Sequence, residues 1–338
     1  MRFAVVGTNF ISREFVTAGR KLAGFSLAAV CSRRRETAEA FADSFGGARC
    51  LTSLEELAAC GDVDAVYIAS PNACHAAQAE RMLRAGKHVL LEKPACPDRE
   101  AFASLRALAG EKGLVLLEAM RPAFTPGFAA LGAALDTIGP VRRASFSYCQ
   151  YSSRYDRFKR GVVENAFNPA LCNGALMEIG VYCIHALISL FGMPSRIQAA
   201  AQRLPNGLDA QGGVLCGYDG MLADLSYSKI ADHRRQNEVQ GEEGTLLVDS
   251  ITNPKRILRI GRDGAAAEVY GDPDPEFFGM AHEIGAFISF VEDAARGLRS
   301  WERHNRVTEQ TLSLMDEIRR QTGIDFINWN EQEGMGAR

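Results

Sequence analysis

The chain has 338 residues, of which 47% are hydrophobic and 23% are charged, and its formal net charge is −3. This length predicts two domains, each large enough to bury its own core. The charge balance argues against a nucleic-acid partner, because phosphate binding draws on clustered Lys and Arg. Nine cysteines without a CxxC pair indicate reduced thiols and no metal site.

The N-terminus predicts a cytoplasmic protein. Met1-Arg2 leads directly into an apolar strand and a glycine turn, which leaves no room for a signal peptide. We also expect no membrane partner, since no apolar run in the sequence approaches the length of a membrane span.

Residues 1–120 alternate short apolar runs with segments of helical period, which predicts a parallel sheet wound with helices. The predicted strands are 3–6, 26–31, 65–69, 88–91 and 114–117. The predicted helices are 10–21, 35–45, 54–60, 72–85 and 98–112. Ser53 and Asp98 are the expected N-caps of the third and fifth helices. The expected class is α/β, with a doubly wound N-terminal domain.

The pattern changes after residue 120, where consecutive strands with short connections predict an antiparallel sheet. Helices are expected at 125–135, 174–191, 279–297 and 304–322, and a frayed tail at 331–338. Strands are expected at 142–150, 195–204, 212–218, 221–230, 234–240, 244–250, 256–261 and 266–270. Residues 121–338 are therefore predicted to form an α+β domain with a largely antiparallel open sheet.

The first strand is followed by a turn and a helix, the context of a dinucleotide-binding turn. The residues expected to hold the cofactor here are Gly7, Thr8, Asn9, Phe10 and Ile11. Of the three glycine positions in the usual G-x-G-x-x-G/A turn, only the first is glycine. Asn9 takes the second position, because asparagine enters left-handed conformations cheaply. Ser12 takes the third, where a small side chain keeps the helix close to the strand.

The second strand ends in Ser32-Arg33-Arg34, with no carboxylate before Glu36. An acidic side chain at this point would bind the ribose hydroxyls of NAD, whereas a hydroxyl and guanidinium groups suit a ribose phosphate. We therefore predict NADP, with NAD possible. The alternative is that Arg33 to Arg35 simply begin a solvated helix.

An apolar strand ends in Glu92-Lys93-Pro94, which puts a cation at the carboxyl edge of the sheet, where ligands of doubly wound folds bind. At these residues the sequence resembles the glucose-fructose oxidoreductase and inositol dehydrogenase (Gfo/Idh/MocA) family. The resemblance covers nearly the whole chain. Its motifs are the Gly7 turn, Ser70-Pro71-Asn72 with His75, Glu92-Lys93-Pro94, Gly174-Ala175-Leu176-Met177-Glu178-Ile179-Gly180-Val181-Tyr182 and Gly241-Glu242-Glu243-Gly244-Thr245.

The resemblance implies a Rossmann domain and assigns roles within it. Lys93 is the implied catalytic lysine, close to the nicotinamide and the reacting oxygen. Ser70, Pro71 and Asn72 would line the cofactor cleft, with Glu92 near the nicotinamide ribose. His75 lies near the cleft in relatives, although a single histidine early on a helix is more often a surface or capping group.

In the second domain the family has an Asp followed four residues later by His or Tyr, a spacing that puts both side chains on one helix face. This chain has Glu178 and Tyr182. The resemblance makes Tyr182 a general acid beside Lys93, and Glu178 a group that orients substrate hydroxyls. The alternative is that both are ordinary helix residues whose polar ends are exposed to solvent. His185 could line the same cleft, although the apolar stretch around it favours a core histidine.

The segment 148–168 is expected to be mainly loop, and it is rich in tyrosine, phenylalanine and cations. Long loops in compact domains are usually either functional or disordered. Contact with a carbohydrate-like or aromatic alcohol and contact between subunits both explain its composition.

The expected activity is reversible hydride transfer between NADP and a hydroxyl or carbonyl carbon of a sugar, polyol or dihydrodiol. One alternative, also known among relatives, is an NAD-dependent glycoside hydrolase that uses transient oxidation; another is a non-catalytic cofactor-binding regulator. The resemblance further implies a homodimer or homotetramer through the open sheet face. An exposed sheet face also independently favours contact with another subunit.

Overall fold

The structure is a computed structural model that describes residues 1–274 and 279–326. Its strands are β1 (Arg2–Val6), β2 (Ser26–Cys31), β3 (Arg49–Leu51), β4 (Ala65–Ile68), β5 (His88–Glu92), β6 (Leu116–Ala119), β7 (Val141–Cys149), β8 (Arg196–Arg203), β9 (Asp209–Gly217), β10 (Leu222–Ser228), β11 (Asn237–Gly241), β12 (Gly244–Val248), β13 (Arg256–Gly261) and β14 (Ala266–Gly271). Its α-helices are α1 (Phe10–Gly19), α2 (Arg35–Asp43), α3 (Leu54–Ala59), α4 (His75–Arg84), α5 (Arg99–Glu111), α6 (Pro126–Ala134), α7 (Tyr155–Lys159), α8 (Val181–Phe191), α9 (Met280–Ala295) and α10 (Glu302–Thr322). The tail expected at 331–338 lies outside the described residues.

The chain divides into two compact units. The described residues of Met1–Met120 and Phe278–Glu309 form the first, and those of Arg121–Phe277 and Gln310–Arg338 form the second. A single boundary after residue 120 therefore does not account for α9, which packs with the first unit.

The first unit contains a six-stranded parallel sheet in the order β3-β2-β1-β4-β5-β6. In its centre, β4 is buried along its whole length and β1 from Phe3 onward, as a sheet covered by helices on both faces requires. Ser53 and Asp98 cap α3 and α5, as the sequence predicts. The short strand β3 was not predicted, because three residues carry too little periodicity.

An aromatic cluster fills the core beneath β1. The Phe3 ring stacks on Phe25 at 5.0 Å between centroids, and Phe15 stacks on Tyr67 at 3.8 Å. Phe287 of α9 completes the cluster, with its ring centroid 5.9 Å from that of Phe3. Aromatic contacts of this kind explain why α9 belongs to the first unit.

The second unit contains an eight-stranded sheet in the order β14-β13-β12-β11-β7-β10-β9-β8. Its neighbouring strands are antiparallel except β7 and β10, which pair in parallel. The sheet is thus mixed and mostly antiparallel. Alternation along β10 buries Ala223, Leu225 and Tyr227 on one face. On the other face lie Leu222 and Leu215, which are 40% and 43% exposed.

The segment Pro169–Phe191 corrects the expectation that no apolar run approaches the length of a membrane span. It is long and apolar enough to be a membrane span by length and composition, and 72% of its most apolar window is buried inside the structure. The segment includes a left-handed Cys172, a π-helical turn at Leu176–Gly180 and α8.

Candidate active site

The turn after β1 is shaped by Gly7. Its φ of +98° lies in the region that side chains avoid, and an added Cβ would lie 2.9 Å from the Ala69 carbonyl oxygen at the end of β4. Both constraints demand glycine. The turn leads into the N-terminus of α1, whose amide groups favour a pyrophosphate. These residues fit a dinucleotide.

Asn9 acts as the N-cap of α1 and does not adopt the left-handed backbone conformation that was expected of it. Its φ of −79° is extended rather than left-handed, so conformational tolerance is not the reason for asparagine here. Its side chain caps α1 by accepting the Ser12 N–H at 3.1 Å and donates to the Ala69 carbonyl at 2.8 Å. Ser12 is fully buried, consistent with the need for a small residue. Phe10, the first residue of α1, is 69% exposed.

The residues after β2 form a polar group at the sheet edge. Ser32 Oγ lies 2.6 Å from Thr37 Oγ1, and Arg33 and Arg34 are exposed. Neither arginine forms an ion pair within the described residues. Thr37 was missed by sequence reasoning, although its place in the first turn of α2 is a usable signal. Two hydroxyls and two guanidinium groups are suited to a phosphate monoester.

The Glu92-Lys93-Pro94 turn follows β5 at the carboxyl edge of the sheet. The buried Tyr67 hydroxyl of β4 donates to Glu92 Oε1 at 2.5 Å, which fixes this carboxylate. Lys93 is half-buried, and its peptide bond to Pro94 is cis. Tyr67 was also missed; the signal was a phenol in an otherwise apolar buried strand.

His75 joins the two turns. It is fully buried, so it is neither the surface group nor the simple cap that its position suggested. Its Nε2 lies 2.9 Å from the Ser70 carbonyl oxygen, and its Nδ1 lies 3.0 Å from that of Pro94. Burial lowers the pKa of His75, which favours the neutral ring. Ser70 also donates through Oγ to Gln78 at 2.8 Å.

In the second unit, Glu178 lies in the π-helical turn Leu176–Gly180 and Tyr182 in the first turn of α8. π-Helical turns occur frequently at functional sites. Both side chains are partly exposed, and the Tyr182 ring packs edge-on against Tyr148 at 5.7 Å. His185 is buried with Nδ1 3.2 Å from Ser189 Oγ, as expected of a core histidine.

Lys229 is the partner of Glu178 that sequence reasoning missed. Its Nζ lies 2.5 Å from Glu178 Oε2 and donates to the Ala166 carbonyl at 2.8 Å. The ammonium also lies 4.7 Å from the centre of the Phe167 ring. The Lys229 side chain is only 3% exposed, against 25% for that of Glu178. The pair therefore holds one carboxylate in a fixed orientation at the edge of the core.

Asp209 lies beneath the same turn. It is 1% exposed, and its Oδ2 accepts the Leu176 N–H at 2.6 Å. Its Oδ1 and the Tyr227 hydroxyl have no hydrogen-bond partner in the part of the chain that the structure describes. Burial raises the pKa of Asp209 to about 6. The carboxyl group thus anchors the backbone that carries Glu178.

The segment 148–168 is more ordered than expected, since it contains α7 and a 3-10 turn at Asn165–Phe167. Tyr155 and Phe158 stack on the buried Phe167 at 5.9 and 5.3 Å. Lys159 lies 5.2 Å from the centre of the Tyr155 ring. These aromatic groups stabilise the segment itself, and its contact with substrate or with a second subunit stays a prediction.

No group of three or more His, Cys, Asp and Glu side chains suited to a metal ion occurs at residues 1–274 or 279–326.

Comparison with known proteins gives the class. The model of an oxidoreductase family with an NAD-binding Rossmann fold matches residues 1–120, and that of the GFO/IDH/MocA C-terminal domain matches residues 133–247. The fold and these matches define a nicotinamide-dinucleotide-dependent oxidoreductase. The chain belongs to the Gfo/Idh/MocA family. The predicted family, fold class and enzyme class are thereby confirmed.

Individual relatives are similar over nearly the full chain. It is 42% identical over 327 residues to scyllo-inositol 2-dehydrogenase (NADP(+)) IolU of Bacillus subtilis, covering 96% of this chain and 98% of the relative. It is 27% identical over 340 residues to trans-1,2-dihydrobenzene-1,2-diol dehydrogenase of Bos taurus, with the same coverage of 96% and 98%. Among solved structures, KijD10, a 3-ketoreductase from Actinomadura kijaniata in complex with NADP and TDP-benzene, superposes with a TM-score of 0.83 at 26% identity, covering 95% of this chain and 98% of that one.

Proposed function

We propose that the protein catalyses reversible hydride transfer between NADP and a hydroxyl-bearing or keto carbon of a polyol, sugar or dihydrodiol. The observation that carries this proposal is Lys93, which lies in the turn after β5 at the carboxyl edge of the parallel sheet. The names of the relatives, an inositol dehydrogenase, a dihydrodiol dehydrogenase and a 3-ketoreductase, support the substrate class.

The cofactor assignment follows from the end of β2. Arg33 supplies a guanidinium donor, and Ser32 and Thr37 supply hydroxyl groups, where an NAD enzyme uses a carboxylate acceptor. NADP in the names of two of the similar proteins supports the same choice. The other residues that we assign to the cofactor are Gly7, Thr8, Asn9, Phe10, Ile11, Arg34, Ser70, Pro71, Asn72, Glu92 and Lys93. His75 is buried, so we assign it to the support of the turns.

When bound, the nicotinamide supplies or accepts the hydride. In our proposal the Lys93 ammonium stabilises negative charge that develops on the reacting oxygen, and the Tyr182 hydroxyl gives that oxygen its proton during reduction. Glu178 accepts a hydrogen bond from a neighbouring substrate hydroxyl. Its ion pair with Lys229 limits the motion of the carboxylate.

We assign residues 1–120 to cofactor binding and residues 121–338 to substrate binding and oligomerisation. The partly exposed Leu215 and Leu222 on the open sheet face support a homodimer or homotetramer. A cytoplasmic location is supported by the nine cysteines, whose side chains are thiols in the structure.

The substrate is tested with scyllo-inositol, trans-1,2-dihydrobenzene-1,2-diol and glucose, each with NADP and NAD, by the absorbance of reduced nicotinamide. We expect turnover with at least one of them and a preference for NADP. Arg33→Ala should lower kcat/KM for NADP by about tenfold while leaving that for NAD unchanged. Arg35→Ala, which removes a neighbouring exposed guanidinium, is the matched control. Equal use of both cofactors by the wild type contradicts the role of Arg33.

The mechanism is tested with Lys93→Ala and Tyr182→Phe. Each should lower kcat by about 10²-fold or more, because each removes a charge or proton donor from the transition state. NADPH binding, measured by fluorescence titration, should persist in Tyr182→Phe. Lys112→Ala, at an exposed lysine of the same unit, should behave as wild type. Full turnover by Lys93→Ala refutes the mechanism.

A further inference from the structure

A carboxyl group is buried beneath the Lys93 turn. Glu118 lies on β6 in register with Leu91 of β5, and it is 2% exposed. Its Oε1 accepts the Ala95 N–H at 2.9 Å, two residues beyond Lys93, and its Oε2 accepts the Thr308 hydroxyl at 2.9 Å. A buried glutamate is costly unless its oxygens are bonded, and both are bonded here.

Among the described residues, the charged groups that act on Glu118 are Glu92, which ends β5, and Lys93, which follows it. The charge of Glu118 also acts on the buried thiol of Cys96, and α10 contributes the uncharged hydroxyl of Thr308. Burial raises the pKa of Glu118 to about 7, against the attraction of Lys93. Protonated and ionised forms are therefore both populated near neutral pH.

Both forms fit the same hydrogen bonds. The ionised carboxylate accepts from Ala95 N–H and from Thr308, as observed. After protonation on Oε2, the carboxyl group donates to Thr308, because a hydroxyl can donate or accept. The bond to Ala95 is kept in both cases. The charge beneath the turn can change without a change in its geometry.

We propose that Glu118 is a positioning residue for Lys93. Its carboxyl group holds the Lys93-Pro94-Ala95 turn through the Ala95 amide, and its charge sets how tightly the Lys93 ammonium keeps its proton. The ionised Glu118 carboxylate stabilises the Lys93 ammonium, and this stabilisation is lost when Glu118 is protonated. The inference rests on the role proposed above for Lys93, and it gives a second group control over the protonation of that lysine.

The direct test measures the protonation of Lys93 without a substrate. The wild type and Glu118→Gln are labelled with a trace of acetic anhydride at several values from about pH 6 to about pH 10, and labelling of Lys93 is quantified by mass spectrometry. The exposed Lys112 is the internal reference for reagent reactivity. Glutamine keeps the bond to Ala95 and donates to Thr308, so it reproduces the neutral form.

We expect Lys93 in Glu118→Gln to be labelled about threefold faster or more than in the wild type at mildly alkaline pH, because its pKa falls when the nearby carboxylate is lost. Thr308→Val removes a hydrogen bond that lowers the pKa of Glu118, so less of the carboxyl group is ionised and labelling of Lys93 should lie between the wild type and Glu118→Gln. Coincident labelling curves for wild type and Glu118→Gln overturn the inference. Failure of Glu118→Gln to fold also overturns it, since glutamine makes the same bonds.

Turnover gives a second readout that a purely structural role would not move. The pH profile of kcat/KM for scyllo-inositol oxidation should have a lower alkaline midpoint in Glu118→Gln, whereas KM for NADP stays near that of the wild type. If Lys93→Ala retains full turnover, the proposed function fails but the labelling result stands. If only the labelling curves coincide, the proposed function stands and this inference fails.

Discussion

Replacement of Asp209 by asparagine tests how burial of a charge limits stability. The pKa of this carboxyl group is raised by burial from 3.8 to about 6. The folded state thus binds the proton more tightly than the unfolded state does. Its stabilising effect is complete below about pH 4 and is lost as the pH rises through about 6.

The magnitude follows from the size of the shift. One pKa unit corresponds to about 1.4 kcal/mol, so a shift of about two units corresponds to about 3 kcal/mol. Asparagine does not titrate and keeps an oxygen for the Leu176 N–H. The free energy of unfolding of the wild type, relative to Asp209→Asn, should therefore fall by about 3 kcal/mol between acid and neutral pH.

The assay is urea unfolding of both proteins, followed by circular dichroism at several pH values between about 4 and about 8. Taking the difference between the two proteins at each pH cancels every other titrating group. Asp219→Asn removes an exposed carboxyl group from the turn after β9 and should show no comparable trend. A difference between wild type and Asp209→Asn that does not change with pH, or that changes in the opposite direction, refutes the reasoning.

Three further substitutions test individual contacts. Gly7→Ala places a Cβ 2.9 Å from the Ala69 oxygen, so NADPH affinity should fall about tenfold or more in a fluorescence titration; Gly86→Ala, also at positive φ but with no atom within 4 Å of the new Cβ, should leave affinity unchanged. Lys229→Met should destabilise the protein by about 2 kcal/mol in urea unfolding, because it removes the ion pair with the Glu178 carboxylate; adding Glu178→Gln should recover most of that loss, and the absence of recovery contradicts the role of the ion pair. Tyr67→Phe removes the donor to Glu92 but keeps the stack on Phe15, so KM for NADP should rise about threefold with little change in melting temperature; unchanged KM contradicts the role of this hydroxyl.

In the first unit the sequence predicts best the buried strands and the turn that contributes to the proposed cofactor site. Gly7 and the apolar runs that became β1, β4 and β5 stand out, because buried parallel strands and tight turns restrict residue type most strongly. The second unit's strands were also found, but not the parallel pairing of β7 with β10. Pairing between strands distant in sequence leaves no local mark.

The candidate site was only half visible from sequence. Lys93, Glu178 and Tyr182 stand in motifs, whereas Tyr67, Lys229 and Glu118 do not. Each of the latter three is a polar group buried in or beside a strand, and its importance comes from a partner distant in the chain. Such partnerships are set by tertiary packing, which periodicity does not encode.

Helix α9 belongs to the first unit, but it follows the second sheet in the chain and is therefore synthesised late. The ribosome releases the six strands of the dinucleotide-binding sheet early, but Phe287 emerges only after the whole of the second sheet. Until then Phe3 lacks one of the rings that pack against it. The N-terminal unit therefore cannot complete its core in the order in which it is translated, and its final assembly waits for nearly the entire chain.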